Sequence, residues 1–264
     1  MTSSGDGEQL ILCSPLFNPN IPTRVPNLLY SPNGGSNLDW KGIGGTFFHT
    51  GCGDVAMSDN GTAIAIAAQA PYQVYFSNNY SQIAQWENST AQPKNPNRAV
   101  SVSLDGRVWI VVGDKGLFRS SDFGVTWDQL NSTLSFKSVS CSFDCSTLYA
   151  LAGDYLYKST DGGKSLYVLY QFDLPTSVFT SRDANRVVVA LRSADLTVPL
   201  YNDIYISTDS GISFNVIPGP QFDPTPQGSL LTNYPVSVSG SANCDRLFVS
   251  YYYGDVWESY KLVF

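Results

Sequence analysis

The chain is short of charge and of the residue types on which most catalysis depends. Charged residues make up 14% of its 264 residues, and it holds one histidine, His49, and three glutamates, Glu8, Glu87 and Glu258. Lys and Arg are never clustered and the net charge is −7. That combination excludes the basic stripe needed to grip nucleic-acid phosphates and disfavours anionic membranes. No apolar run reaches the ~18 residues of a membrane span, so no membrane insertion is expected. Met1 to Gln9 lacks the basic region of a signal peptide, and the compartment is left open with a weak lean to an exposed or extracellular surface. The five cysteines, at 13, 52, 141, 145 and 244, match neither a disulfide framework nor a zinc pattern. No metal and no cofactor is expected, and the spacing does not decide whether Cys141 and Cys145 are bonded.

What is abundant is apolar and aromatic, 43% and 13% of the residues, as in a globular chain. It is also repetitive. Ser120, Asp122, Gly124 and Trp127 recur as Ser159, Asp161, Gly163 and Leu166, and again as Ser207, Asp209, Gly211 and Phe214. Weaker copies start at Ser31, with Asn33 and Gly35, and at Ser77, with Asn79. The five serines are separated by 46, 43, 39 and 48 residues, near the period of a four-stranded propeller blade.

The flanks repeat as well. Each copy follows a strand alternating apolar residues with serine, an Asp-Gly or Asp-Asn-Gly turn, and an apolar β-branched strand such as Val108–Val112 or Val187–Leu191. Such turns accept positive φ and close hairpins. Each unit therefore reads as four short strands, A to D. The expected fold is all-β: a β-propeller of four-stranded antiparallel blades, six favoured over five, closed by the two termini. Residues 1–264 form one domain, with 1–26 as an N-terminal extension or closure segment.

The Ser-x-Asp-x-Gly-x-x-aromatic motif resembles the Asp box, or BNR repeat, of sialidases, sortilin-type receptors and photosystem II assembly factors. The resemblance spans roughly residues 27–260 and implies that each motif forms the C–D hairpin of its blade. It is specific for fold and nearly silent on function. The Asp accepts hydrogen bonds within its own turn and the Gly supplies positive φ, so these residues read as structural.

A sialidase reading rests on Arg24-Val25-Pro26, which resembles the family's Arg-Ile-Pro motif, whose Arg binds the substrate carboxylate. The same chemistry needs two further funnel arginines, a Glu-activated Tyr and an acid, and the three glutamates do not supply them. No catalytic residue is assigned. Propellers bind on the face carrying B–C and D–A loops. The Glu87 to Arg98 and Pro218 to Tyr234 segments depart from the repeat, and departures are where function concentrates. Arg24, Tyr72, Arg98, Tyr201, Tyr234, Tyr252 and Tyr253 are the candidate binding-face residues. The expected role is a non-catalytic recognition or scaffolding propeller contacting protein or glycan, or a structural component of a larger assembly. The alternatives are a sialidase-like glycosidase and an assembly factor using an arginine patch.

Overall fold

The structure is a computed structural model, and it describes residues 2–13, 28–34, 41–43, 52–68, 74–77, 87–88, 97–192, 203–218, 235–251 and 256–258. Among these residues all regular structure is β-strand, and no helix is long and apolar enough to cross a membrane. The chain divides into two compact units, Met1–Phe136 and Lys137–Phe264.

The first unit holds three four-stranded antiparallel sheets. The first comprises β1 (Thr2–Ser3), β2 (Leu10–Cys13), β3 (Leu28–Ser31) and β4 (Lys41–Ile43). The second is β5 (Cys52–Met57), β6 (Ile64–Ala68), β7 (Val74–Ser77) and β8 (Glu87–Asn88). The third is β9 (Asn97–Val102), β10 (Trp109–Gly113), β11 (Gly116–Ser120) and β12 (Asp128–Asn131). In the second unit the fourth sheet is β13 (Phe136–Cys141), β14 (Leu148–Ala152), β15 (Tyr155–Ser159) and β16 (Tyr167–Gln171). The fifth is β17 (Pro175–Thr180), β18 (Val187–Leu191), β19 (Asp203–Ser207) and β20 (Asn215–Pro218). The described part of the sixth is β21 (Pro235–Gly240), β22 (Leu247–Tyr251) and β23 (Val256–Glu258). Every sheet is a meander of sequence neighbours.

The expected units are therefore present. One boundary differs in kind: residues 1–26, expected as an extension or closure segment, contain β1 and β2, so the first sheet draws all four strands from residues 2–43.

Within each unit the core lies between consecutive sheets, and period-2 alternation builds it. In β6, Ile64 and Ile66 pack with Ile11, Leu28 and Tyr30 of the first sheet. The intervening Ala65 and Ala67 pack with Val100, Trp109 and Val111 of the third. In β18, Val187 and Val189 meet Tyr149 and Leu156, while Val188 and Ala190 meet Val238 and Leu247. This explains why the second strands β6, β10, β14 and β18 read as unbroken apolar runs: both faces are buried. Each fully buried Val, Leu or Ile stabilises by about 1.5–3 kcal/mol. The outermost β16, by contrast, is exposed on both sides of Leu169.

Within each unit, one end of the sheets carries two kinds of repeated turn. Between first and second strands six turns share one geometry, starting at Ser4, Ser58, Ser103, Ser142, Ser181 and Ser241. In each, the serine hydroxyl donates to the Asp or Asn two residues on (Ser142 Oγ to Asp144, 2.8 Å) and accepts the N–H five residues on (Thr147 N, 3.1 Å). The Asp or Asn accepts the N–H of the residue two beyond itself, as Asp105 does from Arg107 N at 3.0 Å. The fourth residue lies at positive φ every time: Gly7, Gly61, Gly106, Cys145, Ala184 and Cys244.

Successive turns are also stitched backbone to backbone. Gly5 N donates to Asp59 O and Asp59 N to Leu104 O in the first unit; Phe143 N donates to Arg182 O and Arg182 N to Ala242 O in the second.

Two disulfides, Cys13–Cys52 and Cys141–Cys145, join four of the five cysteines. This corrects the reading that their spacing marks no disulfide framework. The pairing of Cys13 with Cys52 follows from β2 lying beside β5, which sequence spacing does not report. Cys244 is free and buried, and burial pushes its thiol up to about 12.

Candidate binding site at the head of the second and third sheets

The second repeated turn is the one the sequence motif marks, between third and fourth strands. The Ser120, Ser159 and Ser207 hydroxyls accept the N–H of Gly124, Gly163 and Gly211 at 2.9, 2.8 and 2.7 Å. The same hydroxyls donate to Asp122, Asp161 and Asp209. Those carboxylates in turn accept from Thr126, Ser165 and Ser213 N at 2.8, 2.9 and 2.9 Å. Hydrogen bonds from Ser165 and Ser213 pull Asp161 and Asp209 down to about 2. A Cβ on Gly124 would stand 2.7 Å from the Trp109 ring, and its φ is +82°, so glycine is required twice over. Trp127 stacks edge-on against Trp109, and Phe214 against Tyr170 and Phe172. All of these polar groups are consumed by their own turns. The Ser31 copy begins the same turn, with Asn33 N directed at Ser31 Oγ; residues 78–86, which carry most of the Ser77 copy, lie outside the described residues.

The opposite end carries, among the described residues, the β10–β11 and β14–β15 loops and the connections from β12 to β13 and from β16 to β17. Of the candidate binding-face residues, the structure describes Arg98; Arg24, Tyr72, Tyr201, Tyr234, Tyr252 and Tyr253 lie outside the described residues.

Arg98 occupies a repeated irregularity. The first strand of the second, third, fifth and sixth sheets carries a one-residue bulge, at Gly53, Arg98, Thr176 and Val236. All four stand five residues before the turn serine. Bulges re-aim side chains at sheet ends. Arg98 is 52% exposed and pairs at 2.8 Å with Asp114 of the β10–β11 loop; Asp114 also accepts from Ser135 Oγ at 2.9 Å. Gly53 passes closely over the neighbouring strand: a Cβ there would lie 3.2 Å from Asn97 O and 3.3 Å from Arg98 O.

The positions flanking the bulge expose two departures from the repeat. Six residues before the turn serine stand Cys52, Phe136, Pro175 and Pro235 in the second, fourth, fifth and sixth sheets, but Asn97 in the third. Asn97 is 1% exposed, and both polar atoms of its amide lack a hydrogen-bond partner. Four residues before it stand Ser138 and Ser177, whose hydroxyls accept Val178 N and Val238 N of the next sheet at 3.1 and 3.2 Å. In the second sheet that position is Asp54, which accepts Val100 N at 3.0 Å through Oδ2 and Val55 N at 2.8 Å through Oδ1. Burial raises the Asp54 carboxyl above its ordinary range despite these donors. Asp54, Asn97, Arg98 and Asp114 thus gather at the head of β5, β9 and β10. Sequence reading found Arg98 and missed Asp54 and Asn97. Their signal was available: each replaces a residue type that the aligned repeats keep apolar or as serine.

No protein-family model matches the chain, and no curated protein matches it by sequence. Solved structures do. A structure of a nidogen/laminin complex superposes with TM-score 0.68 at 10% identity, covering 93% of this chain and 86% of the other. The hydrazine synthase of Kuenenia stuttgartiensis gives 0.64 at 13% identity over 94% and 72% of the two chains. The GH74 xyloglucanase from Xanthomonas campestris gives 0.64 at 12% identity over 89% of this chain, which spans 40% of that protein. The chain has a β-propeller fold. The neighbours differ in function, so likeness at this identity identifies the fold alone. In propeller terms each sheet is a blade, and the Asp54–Asn97–Arg98 group lies at the blade 2–blade 3 junction, on the end that carries the B–C and D–A loops.

Proposed function

We propose that this is a propeller of the Asp-box type acting as a non-catalytic recognition or scaffolding module for a protein or a glycan, in a surface or larger assembly. One observation carries the reading. The repeated carboxylates are spent inside their own turns, whereas the polar groups that break the repeat collect at one end of blades 2 and 3. Scaffolding does not require the second set, so recognition is the economical account of it. The Asp-box assignment is supported by three turns in which Ser, Asp and Gly perform one hydrogen-bonding task. Two disulfides suit an oxidising environment, in keeping with a surface or extracellular setting. Among the structural neighbours, one is a nidogen/laminin complex and another a GH74 xyloglucanase, which is consistent with either ligand class.

The test is to apply the purified chain to a glycan array that includes sialylated probes and to follow turnover. Retention without cleavage is the expected result. Release of sialic acid or cleavage of a glycosidic bond would overturn the non-catalytic reading and direct attention to Arg24.

A further inference from the structure

Resting on that reading, we infer that the head of blades 2 and 3 is a binding site for a neutral, hydroxyl-rich sugar, formed by Asp54, Asn97, Arg98 and Asp114.

Energetic asymmetry comes first. Asn97 stands where other blades bury Cys52, Phe136 or Pro175, and its amide is left without partners. A buried unpartnered amide is costly, and the repeat offers apolar solutions at this very position, so folding alone gives no reason to keep it. An amide presents one donor group and one acceptor; it calls for a ligand group that is both, which a hydroxyl is.

The neighbours agree in chemistry. Asp54 uses one lone pair of each oxygen on Val55 N and Val100 N, and a carboxylate has about four such sites. It retains acceptor capacity where a serine would offer a single oxygen. Arg98 and Asp114 form an exposed ion pair beside Asn97 in the chain, presenting planar donors and acceptors at the rim. Planar Asp, Asn and Arg groups make paired hydrogen bonds to adjacent hydroxyls.

Charge sets the ligand class. The guanidinium of Arg98 is matched by Asp114, and Asp54 adds a further carboxyl. An anionic ligand, sialic acid included, would meet no uncompensated cation among these four residues. A neutral sugar meets complementary donors and acceptors without a charge to bury. An extended peptide would instead seek an open strand edge for main-chain pairing, and the four groups here are side chains.

The experiment uses the full chain with cellohexaose, maltohexaose, mannohexaose and chitohexaose as probes, sialyllactose as the charged control, and an uncharged decapeptide as the peptide control. Binding is read by titration calorimetry and stability by thermal unfolding. Wild type should bind at least one neutral hexasaccharide and not sialyllactose. Asn97→Leu should lose that binding by 10-fold or more while raising the melting temperature by roughly 2–6 °C, because it removes a buried unpaired amide. A purely structural asparagine would not give that opposition of signs. Asp54→Ser, which copies Ser138 and Ser177 and keeps an acceptor for Val100 N, should weaken binding about 10-fold with the fold intact.

Neutral-sugar binding unchanged in both variants would overturn the site while leaving the recognition reading standing. Binding of the decapeptide alone, or of no neutral sugar, would overturn the sugar assignment. Cleavage of a bound hexasaccharide would overturn the non-catalytic reading without touching the site.

Discussion

The two ends of the blades handle polar groups in opposite ways. At the turn end, every Ser and Asp of the repeat has its partner within six residues, and the pattern recurs blade after blade. At the loop end of blades 2 and 3, Asn97 is buried without partners and Asp54 replaces a serine. The first arrangement reduces the cost of burial to nearly nothing because each turn satisfies itself. The second leaves a cost in place at positions where sister blades show how to avoid it. A repeat protein thus contains its own control experiment: what all blades share serves the fold, and what one blade alone carries must be explained otherwise.

Four changes would break or sharpen this contrast, in order of size. Trp109→Ala removes the largest fully buried side chain among the described residues, which supports Gly124 and stacks on Phe76 and Trp127. It should cost about 3–5 kcal/mol, seen as a lower urea midpoint. Ser181→Ala deletes both the donor to Asp183 and the acceptor for Arg186 N in a buried turn. The expected loss is about 1–3 kcal/mol by the same measurement, opposite in sign to Asn97→Leu at the other end. A Ser181→Ala protein as stable as wild type would remove the distinction between the two ends.

The pH dependence is the third. Asp161 and Asp209 titrate at about 2 in the folded chain, against about 3.9 when unfolded. Because the folded pKa is depressed, the stability they contribute is present above the unfolded pKa and is lost as pH falls toward 2. Thermal unfolding should therefore shift downward between about pH 4 and pH 2, and less so in an Asp161→Asn, Asp209→Asn double variant. The smallest effect belongs to Cys244→Ala. Ala184 occupies the same turn position in blade 5, also at positive φ, so the substitution should cost about 1 kcal/mol or less. In the parent chain the buried thiol should alkylate slowly until the protein is unfolded.

The blades were legible because burial on both faces of the second strand writes an unbroken apolar run, and because the C–D turn needs three specific side chains. The turn at Ser4 was present in the letters, as Ser-Gly-Asp-Gly, but its setting among polar residues resembled a tail; only the pairing of Thr2–Ser3 with Leu10–Ile11 reveals it as a blade. Cys13 and Cys52 could not be matched from spacing, since their proximity is created by two strands of different sheets. Asn97 was the least legible. An asparagine at the first position of a strand reads as an ordinary loop residue until the repeats are aligned, and its burial is encoded by no local pattern. The tyrosines proposed for the binding face lie outside the described residues, so Arg98 is the member of that set that the geometry places.

The backbone relay that runs Gly5, Asp59, Leu104 in one unit and Phe143, Arg182, Ala242 in the other has a further consequence. Each turn engages its neighbour through the peptide group of its second residue, with no side chain taking part in the bond. Six corresponding positions accordingly hold glycine, aspartate, leucine, phenylalanine, arginine and alanine, and Phe143 stands 55% exposed. The joint is made by backbone alone, so within a unit an exposed residue above it, such as Phe143, is lettering that can change without disturbing what holds the turns together.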